Sequence, residues 1–210
     1  EAERVCAHDG AALREIGDVT TQFADAPRER VVEATYSVPF LSHAAMEPMN
    51  ATAQLKDGKL TVWSPNQGPT PTRYICASLT GLDQDDVTVH TTMMGGAFGR
   101  RGEVDFSAYA ALIAMQSDGK PVKVTWTREE DMTHDLYRPA SSAKFMAVLG
   151  TDGLPIALDG AIAAPSIMRS LMRRNFPSLG EGPLGPDKAL TDGAFNQPYD
   201  IANMSVRGIE

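Results

Sequence analysis

The chain has 210 residues, with 27 acidic against 19 basic side chains, a net charge of -8 and two cysteines. That charge argues against a nucleic-acid surface, which Arg169, Arg173 and Arg174 are too few to overturn. No apolar run approaches the ~20 residues that a membrane-spanning helix needs.

Cys6 and Cys76 form no C-x-x-C, so the chain lacks the ligands for an iron–sulfur cluster or a cysteine zinc site of its own. They read as free or buried thiols, with a Cys6–Cys76 disulfide as the alternative. A chain of this length can bury roughly 70% of its unfolded surface without staples. It opens on Glu1 with no signal-peptide pattern, and is expected to be a piece of a longer protein.

In chain order, residues 1–30 are polar and weakly patterned, a lead-in or linker with a predicted helix at Ala11–Ile16. Val31–Val38 reads as a strand. Pro39 and Pro48 then bound an irregular segment holding His43 and Glu47, spaced four apart. On a helix that spacing would suit a metal pair. Pro48 opposes the helix and no third ligand lies nearby, so the plainer reading is a buried, hydrogen-bonded His/Glu pair that steadies a loop.

Residues 50–55 and 60–64 read as strands around the hairpin signal Asp57-Gly58. A helix over 70–79 follows, with Gly81 as its stop, and Gln67 lies between strand and helix. Val87–Thr91 is a strand that runs into Met93, Met94 and the glycine-rich stretch Gly95-Gly96-Ala97-Phe98-Gly99-Arg100-Arg101-Gly102. From Glu103 a helical period takes over, with Phe106, Tyr109, Ala110, Ile113 and Ala114 on one face.

Beyond it come a strand over 122–126 and the capping box Thr127-Arg128-Glu129-Glu130, opening a short helix to about residue 136. A hairpin over 144–150 and 154–162, a helix over 167–174 and a strand over 201–206 complete the chain. The expected class is α+β, a mixed sheet with short helices, with the Gln67 and glycine loops near each other at one end.

A strand, a glycine turn and a helix in that order aim a run of backbone N–H groups at a sheet edge. Without Cβ atoms, an anion or metal oxo group can approach them closely. Walker A is excluded because no lysine and hydroxyl follow, and Gly95-Gly96-x-x-Gly99 breaks the dinucleotide fingerprint. The turn is therefore either a cradle for some other anionic group or a tight turn with Phe98 tucked into the core. Ser141-Ser142-Ala143-Lys144 matches the S-x-x-K of acyl-transfer enzymes, without S-D-N or K-T-G and on a strand pattern.

PFLSHAAMEPMNATA (39–53), VWSPNQGP (62–69), VTVHTTMMGGAFGRRGEVD (87–105) and PVKVTWTREEDMTHDLYRP (121–139) fall in one order and spacing. Together they resemble the large subunit of molybdenum hydroxylases, the xanthine dehydrogenase and aldehyde oxidase family. The GRR form of the loop and the TREEDMTHDLYRP run resemble its isoquinoline 1-oxidoreductase and aldehyde dehydrogenase branch, which is bacterial.

The resemblance implies that residues 31–210 are the first half of a molybdopterin-binding domain. Gln67 would hydrogen-bond an oxo ligand of molybdenum. Gly95, Gly96, Ala97, Phe98, Gly99 and Arg100 would line the cofactor, and His43 and Glu47 would support the site. A position that is acidic in purine-oxidising members is Gly102 here, beside Glu103.

The cofactor implied is molybdopterin, as the cytosine dinucleotide, with molybdenum. The reaction is hydroxylation of an aldehyde or N-heterocycle with oxygen from water. Electrons would pass to a small [2Fe–2S] subunit and an acceptor such as a cytochrome c. The catalytic glutamate would lie beyond residue 210, Glu181 in Leu179-Gly180-Glu181-Gly182 being a poor stand-in, so no catalytic residue is assigned and the chain alone is expected to be inactive. The branch points to the periplasm, with the cytoplasm left open. The rival readings are a non-catalytic binding module and the Ser141/Lys144 acyl-transfer enzyme.

Overall fold

The structure is a computed structural model that describes residues 10–177 and 185–210. In chain order its strands and α-helices are β1 (Ala11–Ile16), α1 (Val19–Asp25), β2 (Val31–Val38), β3 (Asn50–Lys56), β4 (Lys59–Ser64), α2 (Pro69–Thr80), β5 (Val87–Thr91) and α3 (Asp105–Ala114). Then follow β6 (Val122–Thr125), α4 (Arg128–Thr133), β7 (Ser141–Leu149), β8 (Pro155–Ala163), α5 (Ile167–Asn175) and β9 (Asn203–Ile209). The fold is mixed α+β, in two units: residues 1–41 with 139–210, and residues 42–138.

The first unit holds a five-stranded sheet in the order β1-β9-β8-β7-β2. β7 and β8 form the predicted hairpin around Asp152-Gly153, and β2 pairs antiparallel with β7 from Val31↔Val148 to Val38↔Ser141. Residues 11–16 are not helical as expected. They form β1, an edge strand antiparallel to β9. AALREI has fair helix propensity, but pairing with a segment close to 200 residues away decides its state.

The second unit holds a four-stranded sheet in the order β5-β4-β3-β6. β3 and β4 form a hairpin closed by Asp57 and Gly58, both at positive φ. Alternation puts Ala51 and Ala53 of β3, and Leu60, Val62 and Ser64 of β4, on the buried side. Cys76 and Ala77 of α2, and Phe106, Ala110, Ala111 and Ala114 of α3, complete the core.

The apolar face of α3 is rotated from the expected one: Tyr109 and Ile113 are about half exposed, while Ala111 is buried. The sheet beneath is paved with alanine, and the small side of the helix fits against it. Pro69 sits in the first turn of α2, where its missing N–H has no helical partner to lose, and Gly81 ends the helix at φ 72°. The Cys76 thiol is free and buried, which pushes its pKa up to about 12; Cys6 lies outside the described residues.

β4 and β5 are parallel neighbours, in register from Leu60↔Val87 to Ser64↔Thr91, with α2 in the crossover between them. Their carboxyl ends therefore open on the same side of the sheet. Gln67 follows one and the glycine turn follows the other.

Candidate functional site

Four segments of the second unit converge at the carboxyl ends of β4 and β5: residues 42–50, 64–68, 92–102 and 126–135. The sequence supplies the joints. Gln67 N–H donates to Arg101 O at 2.8 Å, and Thr92 N–H donates to Ser64 O at 3.2 Å. Glu47 N–H donates to Gly95 O at 3.0 Å, while Gly95 N–H donates back to Glu47 Oε2 at 2.8 Å. Gln67, Gly95, Gly96, Ala97, Phe98, Gly99, Arg100, His43 and Glu47 are all brought into this one region.

Two adjacent arginines organise it from below. Arg101 is 0% exposed and donates through Nη2 to Glu47 O (2.7 Å) and Glu47 Oε2 (3.0 Å), and through Nε to Gly96 O (2.8 Å). Its Nη1 reaches Pro65 O at 3.3 Å, so one guanidinium clamps the glycine turn, the 42–50 segment and the Gln67 loop. Burial pulls the Arg101 pKa down, against the opposing pull of Glu47.

Arg100 is 1% exposed and makes a bidentate contact to Asp105, at 2.9 and 2.7 Å. Its Nε lies 2.9 Å from Asp135 Oδ1, and its guanidinium lies over the Trp126 ring, 5.5 Å from the centroid. Its charge is thus directed into the protein, so contact with a ligand would fall to its main chain.

The expected His43/Glu47 pair does not form. Glu47 binds Arg101, Gly95 and Asn50, while His43 Nδ1 lies 3.0 Å from both oxygens of Asp135. Pro48 holds the segment out of a helix, so the four-residue spacing does not put the two side chains on one face. Asp135 also accepts from the His43 N–H and from Ser42 Oγ.

Burial pushes the Asp135 carboxyl up, but these hydrogen bonds outweigh it and hold the pKa below the ordinary range. Glu47 behaves alike: burial raises it, and the bonds from Gly95 and Asn50 with the Arg101 charge bring it lower. Among the described residues no cluster of His, Cys, Asp or Glu could hold a metal ion by itself.

The glycine turn itself is open. Phe98 is 69% exposed at φ 55°, not tucked into the core, and Met93 is 95% exposed. Gly96 and Gly99 adopt φ of 99° and 102°, which side-chain-bearing residues rarely take, and a Cβ at Gly95 would lie 2.5 Å from Glu47 Cβ. The N–H groups of Gly96, Ala97, Phe98 and Gly99 donate to no described residue. The Gln67 carboxamide is exposed, again with no hydrogen bond to a described residue. Main-chain donors and a carboxamide without partners among the described residues, on loops joined at Gln67 and Arg101, fit an anionic or oxygen-rich group. They leave no partner among the described residues to be displaced.

A family model for the molybdopterin cofactor-binding domain matches residues 4–172. The chain belongs to this family. It is 33% identical over 164 residues to the isoquinoline 1-oxidoreductase beta subunit of Brevundimonas diminuta, covering 77% of this chain and 21% of that protein. It is 28% identical over 194 residues to a probable xanthine dehydrogenase subunit from Bacillus subtilis, covering 92% of this chain and 24% of that one.

Among solved structures, the aldehyde oxidoreductase of Desulfovibrio gigas superposes with a TM-score of 0.67 at 22% identity, over 96% of this chain and 21% of that one. The chain thus spans between a fifth and a quarter of the length of these relatives.

Asp135 and Arg101 carry much of this geometry, yet sequence reading gave neither a role. Both stand inside the quoted runs, in MTHDLYRP and GRRG, so the signal was present without its partner. Ser141 and Lys144 form no acyl-transfer pair: they are three apart on β7, which puts them on opposite faces of a strand, and Lys144 Nζ binds Glu33 Oε1 at 2.7 Å. Glu181 lies outside the described residues.

Proposed function

We propose that this chain forms the first half of the cofactor-binding region, over residues 31–210, in an oxidoreductase that hydroxylates aldehydes or N-heterocycles. The reading rests on one observation: the N–H groups of Gly96 to Gly99 and the Gln67 carboxamide have no hydrogen-bond partner among the described residues, on loops tied together by Gln67 N–H to Arg101 O at 2.8 Å. When bound, the molybdenum cofactor supplies the two-electron oxidation of a substrate carbon, with oxygen from water.

The residues of this chain would hold and orient that group. Gly96, Ala97, Phe98 and Gly99 present donors whose directions are fixed by the Arg101 clamp, so little ordering is needed on binding. Gln67 supplies a carboxamide that can donate or accept. Arg100 contributes main chain only, and His43 and Glu47 hold the turn from behind.

The finer reading follows the branch. The cofactor is the cytosine dinucleotide form, electrons leave to a small [2Fe–2S] subunit and then to an acceptor such as a cytochrome c, and the enzyme works in the periplasm. The general base is a glutamate outside this chain. A collapsed loop with Phe98 buried and Gln67 facing away would favour the rival binding-module reading; Phe98 is 69% exposed and Gln67 is exposed.

The test is to express the complete subunit with its iron–sulfur partner and measure molybdenum, pterin and aldehyde oxidation. Stoichiometric molybdenum that falls several-fold in Gln67→Ala supports the proposal. A well-folded complete subunit without molybdenum or pterin overturns it. The 210-residue chain alone should retain neither.

A further inference from the structure

His43 has two ring nitrogens, and the described residues use one. Nδ1 lies 3.0 Å from both oxygens of Asp135, a buried carboxylate that can only accept, so Nδ1 carries the proton. The side chain is 10% exposed, and its position is fixed further by its own N–H and Ser42 Oγ on the same carboxylate. Burial raises the pKa of that carboxylate, but the bonds from the His43 N–H, Ser42 and the His43 ring outweigh it and hold it below the ordinary range, and Arg100 Nε lies 2.9 Å from its Oδ1.

Nε2 is left as an acceptor with no hydrogen-bond partner among the described residues. It faces the glycine turn: a Cβ built on Gly99 would lie 3.7 Å from it. Nε2 is not among the buried unpartnered atoms of the described residues, so it is open to a group held at the turn.

We propose that His43 Nε2, presented by Asp135 beside Gly99, accepts a hydrogen bond from an N–H or O–H of the group that the glycine turn holds. This rests on the cofactor reading above and goes beyond it. His43 becomes a ligand-contacting residue in place of a mere support, and Asp135 becomes the positioning residue that selects the ring tautomer. The turn then offers donors from its main chain and an acceptor from His43, a pairing suited to a ligand carrying both kinds of group, as a pterin does.

The test compares His43→Asn with His43→Gln in the complete subunit purified with its partner. Asparagine can keep the Asp135 contact through its amide N–H, but it is too short to reach Gly99. Glutamine can place a carbonyl oxygen near the position of Nε2. The readouts are molybdenum and pterin retained after dialysis, the thermal midpoint of each apoprotein, and the molybdenum paramagnetic resonance signal of partly reduced enzyme.

The expected result is cofactor loss about five- to tenfold faster in His43→Asn, the worth of one hydrogen bond, with recovery in His43→Gln and equal apoprotein midpoints. Retention and resonance signal in His43→Asn equal to wild type would overturn the contact while leaving the proposed function standing. Wild-type subunit without molybdenum or pterin would remove both.

Discussion

The main-chain N–H of Gln67 donates to the carbonyl of Arg101 at 2.8 Å, and the Arg101 side chain returns to Pro65 O at 3.3 Å. The loop after β4 and the turn after β5 are therefore one piece of structure. Its stiffness comes from a buried guanidinium whose acceptors are mostly carbonyl oxygens.

Glu47 is the acidic counterpart of that guanidinium. Glu47→Ala strands a buried cation and also removes the acceptor for Gly95 N–H, and should cost about 3 kcal/mol. Urea unfolding of the chain checks this, with Glu47→Gln expected between wild type and alanine.

The same carboxylates set the response to acid. Asp135 and Glu47 lie below their ordinary values of 3.8 and 4.5 in the folded chain, so their contribution is complete above those values. It is lost as pH falls through the lowered ones. The urea midpoint should be level near neutrality and fall below about pH 4, and Asp135→Asn should start lower and fall less steeply.

Alanine substitutions along the turn should rank by geometry. Gly95→Ala meets Glu47 Cβ, and Gly99→Ala must adopt φ 102°, so each should cost about 1–3 kcal/mol. Gly102→Ala finds nothing within 4 Å and should stay within about 0.5 kcal/mol of wild type. Thermal melting of the variants gives the order.

Phe98 contributes little to folding, being exposed and at positive φ. Phe98→Gly should change the stability of the chain by less than about 0.5 kcal/mol, relief of strain offsetting the added freedom of the unfolded chain. In the complete subunit the same variant should lose molybdenum faster. A large destabilisation would show that the ring packs where the structure leaves it open.

What could be read in the sequence was local. Val31–Val38 and Val87–Thr91 alternate cleanly, Asp57-Gly58 closes its hairpin, and Thr127 Oγ1 accepts from Glu130 N–H as the capping box requires. The spacing of the glycine turn excluded the commoner phosphate loops and left open whether Phe98 was buried, which the structure answers with an exposed ring.

Long-range pairing was hidden. β1 is a strand only because β9 lies beside it, and His43 finds Asp135 and not the glutamate four residues on. Two adjacent arginines after a glycine turn look like ligand contacts. Their burial follows from Asp105 and Trp126 around Arg100, and from Glu47 and a ring of carbonyls around Arg101.

The parallel register of Ser64 against Thr91 has a bearing on how such a chain can vary. The distance from Gln67 to Gly95 is set by neighbouring strands and not by the crossover that joins them through space. A longer or shorter linker after Gly81, or a whole module grafted there, would leave the two loops facing each other. The far end of that crossover is thus a natural place for relatives to diverge in length while keeping the same geometry at the other.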